Sequence, residues 1–256
     1  MPRLDTYIWR ARVAPAIIAV APILAFLSFV VQSPIVGLVA PAIGAGAAVL
    51  LAAEVTKSRG HAAEARLISK WDGLPTTRAL SASGHKPHLR QQRRQAMEAV
   101  TGVALPTAAD EAGDPGTARQ MIQHCVRLAI AGLRTDATDS GVLASENASY
   151  GFRRNSRGIR GFAIATLAIS MAVTAGVAVI SGQLLVGACV LGLDLLLAVY
   201  WLLIVRDGWV LEQAEKFSDQ LFIVAELAAS KSLQSRSSTP SGVQESVAGS
   251  SISDHD

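Results

Sequence analysis

The chain has 256 residues, 50% of them hydrophobic, 17% charged and 5% aromatic, with 23 Lys and Arg against 20 Asp and Glu for a formal charge of +3. Its two cysteines, Cys125 in the charged middle and Cys189 in an apolar run, exclude a disulfide framework. The pI near 9.1 does not signal nucleic acid, because many basic residues stand beside apolar runs, where each adds about 1 kcal/mol of attraction to anionic lipid.

Two apolar runs open the chain, at residues 13–31 and 35–53, and two more follow the charged middle, at 162–180 and 184–205. Each approaches the roughly 20 apolar residues that a helix needs to cross the hydrocarbon core. Lipid offers no partner to a backbone N–H or C=O, so these runs must be helices, and the period-two alternation of barrel strands is absent. Three of the runs carry no charge; the fourth contains Asp194. Pro15 lies near a helix start, and Pro22 predicts a kink in the first span. Arg10 and Arg12 before that span also resemble the start of a cleaved signal peptide, but a second span follows almost at once.

Charge sets the orientation, since basic loops stay on the cytoplasmic side. Arg3, Arg10 and Arg12 precede the first span, Lys57 and Arg59 follow the second, Arg153, Arg154, Arg157 and Arg160 precede the third, and Arg206 follows the fourth. The connections at 32–34 and 181–183 carry no charge. The expected protein is therefore all-α and integral to the inner (plasma) membrane. Four transmembrane helices form two hairpins at 13–53 and 161–205, around a helical cytoplasmic domain at 54–160, with residues 1–12 and the C-terminus also cytoplasmic. Tyr200, Trp201 and Trp209 fit an interfacial aromatic belt.

Within the middle, the second span is expected to continue as a helix through 54–69. Trp71-Asp72-Gly73-Leu74-Pro75-Thr76-Thr77 reads as a turn, with Gly73 and Pro75 ending that helix and Trp71 free to pack. A short helix is expected at 91–100, ending at Gly102. Its Arg90, Arg93 and Arg94 lack the interleaved aromatics of a stacking platform and read as a solvated face. Asp114-Pro115 places an N-cap before an N1 proline, and Met121, Ile122, Cys125, Leu128, Ala129 and Leu133 follow at helical spacing. A further short helix at 142–148 should lead into Tyr150-Gly151-Phe152-Arg153-Arg154-Asn155, which returns the chain to the membrane.

Beyond the fourth span, Val210, Ala214, Phe217, Leu221, Val224 and Ala228 alternate four and three residues apart, a heptad seam on a cytoplasmic helix at 206–233. The seam can pack within the chain, on the extension of the second span, or on another subunit. The Ser-rich stretch 234–256 lacks apolar periodicity and is expected to be a disordered tail.

Three elements of the middle segment go together: Trp71, Gly73, Pro75, Thr76 and Thr77; then Leu105-Pro106-Thr107; then Glu146, Asn147 and Tyr150 to Asn155. In these the chain resembles a family of uncharacterised bacterial four-span membrane proteins carrying Trp-x-Gly-x-Pro-Thr-Thr and Glu-Asn-x-x-Tyr-Gly-Phe-Arg-Arg-Asn. Related chains tend to have an Arg-Asp pair and an aromatic before the last element, where this one has Thr135-Asp136-Ala137-Thr138-Asp139 and Val142. The resemblance implies membrane location and two flanking helix pairs; it carries no activity.

Two positions carry the chemical argument. In the Tyr150 element, Gly151 is expected to supply a bend into the membrane, with Tyr150 and Phe152 at the interface and Arg153 and Arg154 on lipid phosphates. The alternative is an Arg153 and Arg154 pair that meets Glu146 or an anionic ligand. Asp194 is an ionisable residue near the bilayer centre with no basic partner in any span. A hairpin closed at Gly182 brings residue 170 to its depth, so a protonated Asp194 bonded to Ser170, Thr166 or Thr174 would pair helices. The alternative is a ring of Asp194 side chains along a path through an oligomer. Small residues at Ala40, Gly44, Ala48, Ala188 and Gly192 would permit the close helix contacts required.

Enzyme chemistry receives little support. His85 and His88 are an incomplete metal shell, His124 and Cys125 diverge by about 100° on a helix, and no phosphate loop or serine elbow is present. No catalytic residue, metal or cofactor is implied. The expected function is that of a bacterial inner-membrane effector or signalling protein whose cytoplasmic domain responds to a partner or ligand and changes the packing of the spans, with pore formation included. The alternative is a membrane anchor or scaffold. The expected partners are membrane lipid, further copies of the chain through the spans and C-terminal helix, and a cytoplasmic ligand or protein.

Overall fold

The computed structural model describes residues 7–30, 36–82, 87–133 and 140–237, and among them every regular element is helical. A π-helical turn, Trp9–Val13, leads into α1 (Ala14–Val30). Next come α2 (Val36–Lys70), α3 (Pro75–Leu80), α4 (Pro87–Thr101), α5 (Ala108–Gly113) and α6 (Pro115–Leu133). The chain then makes α7 (Ser140–Ser181), α8 (Leu184–Val199), a second π-helical turn, Tyr200–Ile204, and α9 (Asp207–Ser237).

Three helical stretches are long and apolar enough to cross a membrane: Trp9–Leu27, Gly141–Ser181 and Leu184–Ile204. The expected second span at 35–53 lies within α2 from residue 36 onward, but its side chains at 36–50 fall outside the described residues. So do the connection at 32–34, His85 and the tail from 238. The turn between α7 and α8 follows the sequence reading: Gly182 adopts φ 72°, a left-handed conformation that glycine takes without penalty. The close contact between these helices comes from Gly187, where a Cβ would lie 2.4 Å from that of Ala178. Gly192 meets nothing within 4 Å among the described residues.

Several expected boundaries are corrected. Lys70 ends α2, and a closing turn follows in which Trp71 N–H donates to Leu67 O and Gly73 N–H to Ile68 O, both at 2.9 Å. Asp72 and Gly73 take positive φ there. Pro75 does not end this helix but opens α3 at its first position, where a missing N–H costs nothing, and Thr76 and Thr77 are buried inside α3. The larger correction concerns the return to the membrane. No turn occurs at Tyr150–Asn155; one 42-residue helix, α7, runs from Ser140 to Ser181, and Gly151 is helical within it.

The helical domain outside the spans is completed by its most distant segment. Leu80, Met97, Ile122, Cys125, Ala129, Leu133 and Leu143 form one core with Phe217, Leu221, Phe222 and Ala225 of α9. The heptad seam thus packs inside the chain, on α4, α6 and α7 rather than on the extension of α2. Asp114 caps α6 as expected, accepting from the N–H groups of Gly116 at 3.1 Å and Thr117 at 3.0 Å. Thr107 caps α5 in a reciprocal box with Asp110.

The arginines of α4 are not a solvated face. Arg93 pairs with Asp219 at 2.9 Å and covers the Phe222 ring at 4.6 Å. Arg94 donates to the carbonyls of Leu80 and Pro106, and Arg90 to that of Ala82. They fasten α4 to α9 and to the loops because buried carbonyls there have no helical donor.

Candidate functional site

The Tyr150 element forms the crossing of α2 and α7. Two glycines let the backbones meet: a Cβ on Gly158 would lie 2.5 Å from the Arg59 carbonyl oxygen, and one on Gly60 would lie 1.9 Å from Asn155 Oδ1. Asn155, 1% exposed, donates from Nδ2 to the Ala11 carbonyl at 2.6 Å. Ala11 lies in the π-helical turn, and Pro15, four residues on, has no N–H to give an α-helical bond to that carbonyl. Gly151 meets the same turn, where a Cβ would stand 2.9 Å from that of Ala11. Its smallness admits the N-terminal helix; it does not bend α7.

Beside this crossing, Glu64 of α2 binds two members of the motif. Tyr150 Oη donates to one carboxylate oxygen at 2.9 Å and Arg154 Nη1 to the other at 2.9 Å. Arg153 donates to the Trp209 carbonyl at 2.9 Å, stands 3.5 Å from Glu212 and lies over the Trp209 ring at 4.9 Å. Phe152 meets the same ring edge-on at 6.1 Å. Glu146 is bonded to Gln213 of α9, so it does not face the arginine pair. Asn147 is half-buried one residue further on.

Farther along α7, Arg157 and Lys70 converge on Asp207 at 2.7 and 2.8 Å. Burial resists ionisation of Asp207, yet Lys70 and Arg157 together hold its carboxyl below the ordinary range. Arg160 donates from Nε to the Trp201 carbonyl at 2.9 Å, within the π-helical turn. All four arginines that precede the apolar run at 162–180 are therefore interhelical ties. Glu64, Gly60, Gly158 and Asp207 were missed by the sequence reading. One signal was present: Pro15 orphans a carbonyl, and a buried asparagine is a fitting donor.

Asp194 is completely buried, and Ser170 Oγ stands 2.8 Å from its Oδ2. This is the partner that a hairpin closed at Gly182 dictates. Thr166 does not join it, since its hydroxyl lies 2.9 Å from the Ala163 carbonyl and 3.2 Å from the Ala19 carbonyl and has its one proton for these acceptors. Thr174, also fully buried, has its hydroxyl without a hydrogen-bond partner among the described residues, so it does not bond Asp194 either. Ser170 Oγ lies 3.3 Å from the Pro22 carbonyl as well. The carboxyl thus sits among α1, α7 and α8 of one chain.

A cleft of about 460 Å³ lies at the Trp71 element, between Trp71, Thr77, Arg78, Ser81, Glu111 and Arg119. Glu111 is occupied there by Ser81 Oγ at 2.6 Å, by the Ala82 N–H at 2.8 Å and by Arg94 at 3.6 Å. Arg119 pairs with Asp72 at 2.9 Å on the open rim. No group of three or more His, Cys, Asp or Glu suited to a metal occurs among the described residues. His88 and His124 are exposed, whereas Cys125 is buried with its Sγ 3.4 Å from Thr101 Oγ1.

Comparison of the chain with protein-family models, with curated proteins and with solved structures finds no match. The family resemblance rests on the motifs alone.

Proposed function

We propose that the protein is a four-span inner-membrane effector or signalling protein of bacteria, with both termini and the helical domain cytoplasmic, in which a ligand or partner bound by that domain changes the packing of the spans. The observation that carries this reading is α7. One helix holds Leu143 in the core of the domain at one end and Ser170 against Asp194 at the other, about 40 Å away at 1.5 Å per residue. Packed elements of this kind shift as units, so a displacement at Leu143 is felt at Ser170. The Trp71 cleft is the place for a ligand, and the exposed apolar faces of α7 and α8 are the surfaces left for lipid or a second copy.

The anchor or scaffold reading is favoured by a different observation. Arg153, Arg154, Arg157 and Arg160 are all spent on ties between helices, which stiffens the joint between domain and spans.

Induced expression in bacteria, with membrane potential and growth recorded, separates the two. The test variant replaces the exposed Ala165 and Ala168 of α7 by glycine, which keeps the register of the helix while lowering its stiffness between Leu143 and Ser170. Depolarisation by the natural chain that the glycines abolish, at equal membrane abundance, supports transmission through α7. Depolarisation unchanged by the glycines removes transmission, and none from either chain leaves the anchor. Reporter fusions at residue 110 check the orientation: activity on the outer side would overturn it.

A further inference from the structure

We propose that the groove between the N-terminal turn, α7 and α9 is a binding site for the phosphate headgroup of an anionic phospholipid. It has a volume of about 380 Å³ and is lined by Arg10, Ala14, Ser149, Phe152, Arg153 and Trp209, with Gln213 at its edge. It rests on the placement of α1 and α8 in a membrane and not on the signalling reading.

The level in the membrane is right. Arg10 stands in the first turn of the crossing stretch Trp9–Leu27, which is headgroup depth. The chemistry also fits. Two guanidinium groups and two aromatic rings line a groove whose described lining includes no acidic residue. Arg10 is exposed, and among the described residues its side-chain hydrogen bond goes to the neutral Ser145 hydroxyl at 3.3 Å, which takes one of its five donors. Arg153 spends Nη1 on the Trp209 carbonyl at 2.9 Å and on the half-exposed Glu212 at 3.5 Å, which Lys216 holds more closely at 2.7 Å, so its other guanidinium N–H groups remain for an anion. A guanidinium binds a phosphate through two parallel hydrogen bonds, and the ring of Trp209 already fixes the plane of Arg153. Phe152 and Trp209 would lie against the glycerol and the first methylenes of the acyl chains. Arg154, the other half of the expected anion pair, takes no part, because Glu64 engages it at 2.9 Å.

The test uses the full chain purified in detergent and titrated with phosphatidylglycerol or phosphatidylcholine, with bound lipid counted by native mass spectrometry. The proposal expects one retained phosphatidylglycerol per chain in preference to phosphatidylcholine. Arg10→Gln, an exposed position whose loss leaves the fold intact, should weaken retention about tenfold. Arg206→Gln is the control for charge at the same membrane face, exposed and outside the groove, and should retain the lipid. Equal weakening by both variants would show diffuse attraction to charge and overturn the site, as would equal binding of the two lipids. Glycerol 3-phosphate should not displace the lipid; if it did so at comparable concentration, the ligand would be a free phosphate ester instead.

Discussion

Asn155 and Ala11, separated by 144 residues in sequence, are joined by a 2.6 Å hydrogen bond from the side-chain amide to the backbone carbonyl. The bond makes good the N–H that Pro15 lacks, and Gly60 leaves the space in which the amide sits. Asn155→Ala should strand a buried carbonyl and open a void, costing about 1–3 kcal/mol. Thermal unfolding in detergent is the measurement, and a midpoint equal to that of the natural chain would refute the account.

Two glycines on α7 should respond oppositely to alanine. Gly158→Ala drives a methyl into the Arg59 backbone at 2.5 Å, and since neither helix can retreat without breaking other contacts, a loss of about 1–3 kcal/mol is expected. Gly161 has nothing within 4 Å, so Gly161→Ala gains only the helix preference of alanine, about 0.5–1 kcal/mol. Equal midpoints for the two variants would mean that the α2–α7 crossing is looser than described.

What the sequence revealed follows from the range over which each signal acts. Periodicity and hairpin closure are local, so the three helical stretches apolar enough to cross a membrane and the depth match of Ser170 with Asp194 could be read from spacing alone. The core of the helical domain could not, because its complement, Phe217 to Ala225 on α9, stands about a hundred residues from the helices it covers. The middle segment carries only part of that core in its own sequence. Arginines beside a span carry the same ambiguity: the topology rule explains their presence, but Glu64 and Asp207, which hold Arg154 and Arg157, are visible only once α2, α7 and α9 are placed side by side. Gly151 was read as a bend for lack of its neighbour, since nothing near it in sequence announces Ala11.

Asp207 should give the protein a defined acid limb. Its folded pKa lies below the ordinary value of 3.8, so its contribution is complete above about pH 4 and is lost as pH falls through the folded value. Asp207→Asn removes that contribution at neutral pH while leaving Lys70 and Arg157 facing each other. The stability gap between the natural chain and this variant should therefore be constant from pH 7 to about 5 and close below about 4. A gap that widened on acidification would contradict the ion triad, and unfolding midpoints across this range decide it.

Asp194 and Ser170 make the strictest test, because their hydrogens can be counted. Ser170 Oγ stands 2.8 Å from Asp194 Oδ2 and 3.3 Å from the Pro22 carbonyl oxygen. A hydroxyl has one proton and cannot donate to both acceptors. If the carboxyl carries a proton, Asp194 donates to Ser170 and Ser170 to Pro22, and both contacts are satisfied. Asparagine offers an N–H donor of the same reach, so Asp194→Asn should keep the α7–α8 pairing within about 0.5 kcal/mol. Ser170→Ala breaks both links and should cost about 1 kcal/mol, as hydrogen bonds between membrane helices usually do. In the double-mutant cycle, Asp194→Leu and Ser170→Ala should therefore couple by about 0.6–1.7 kcal/mol. Loss of assembly in Asp194→Asn would mean that the negative charge itself is required, and the residue would then belong to an ion or proton path and not to the pairing of helices.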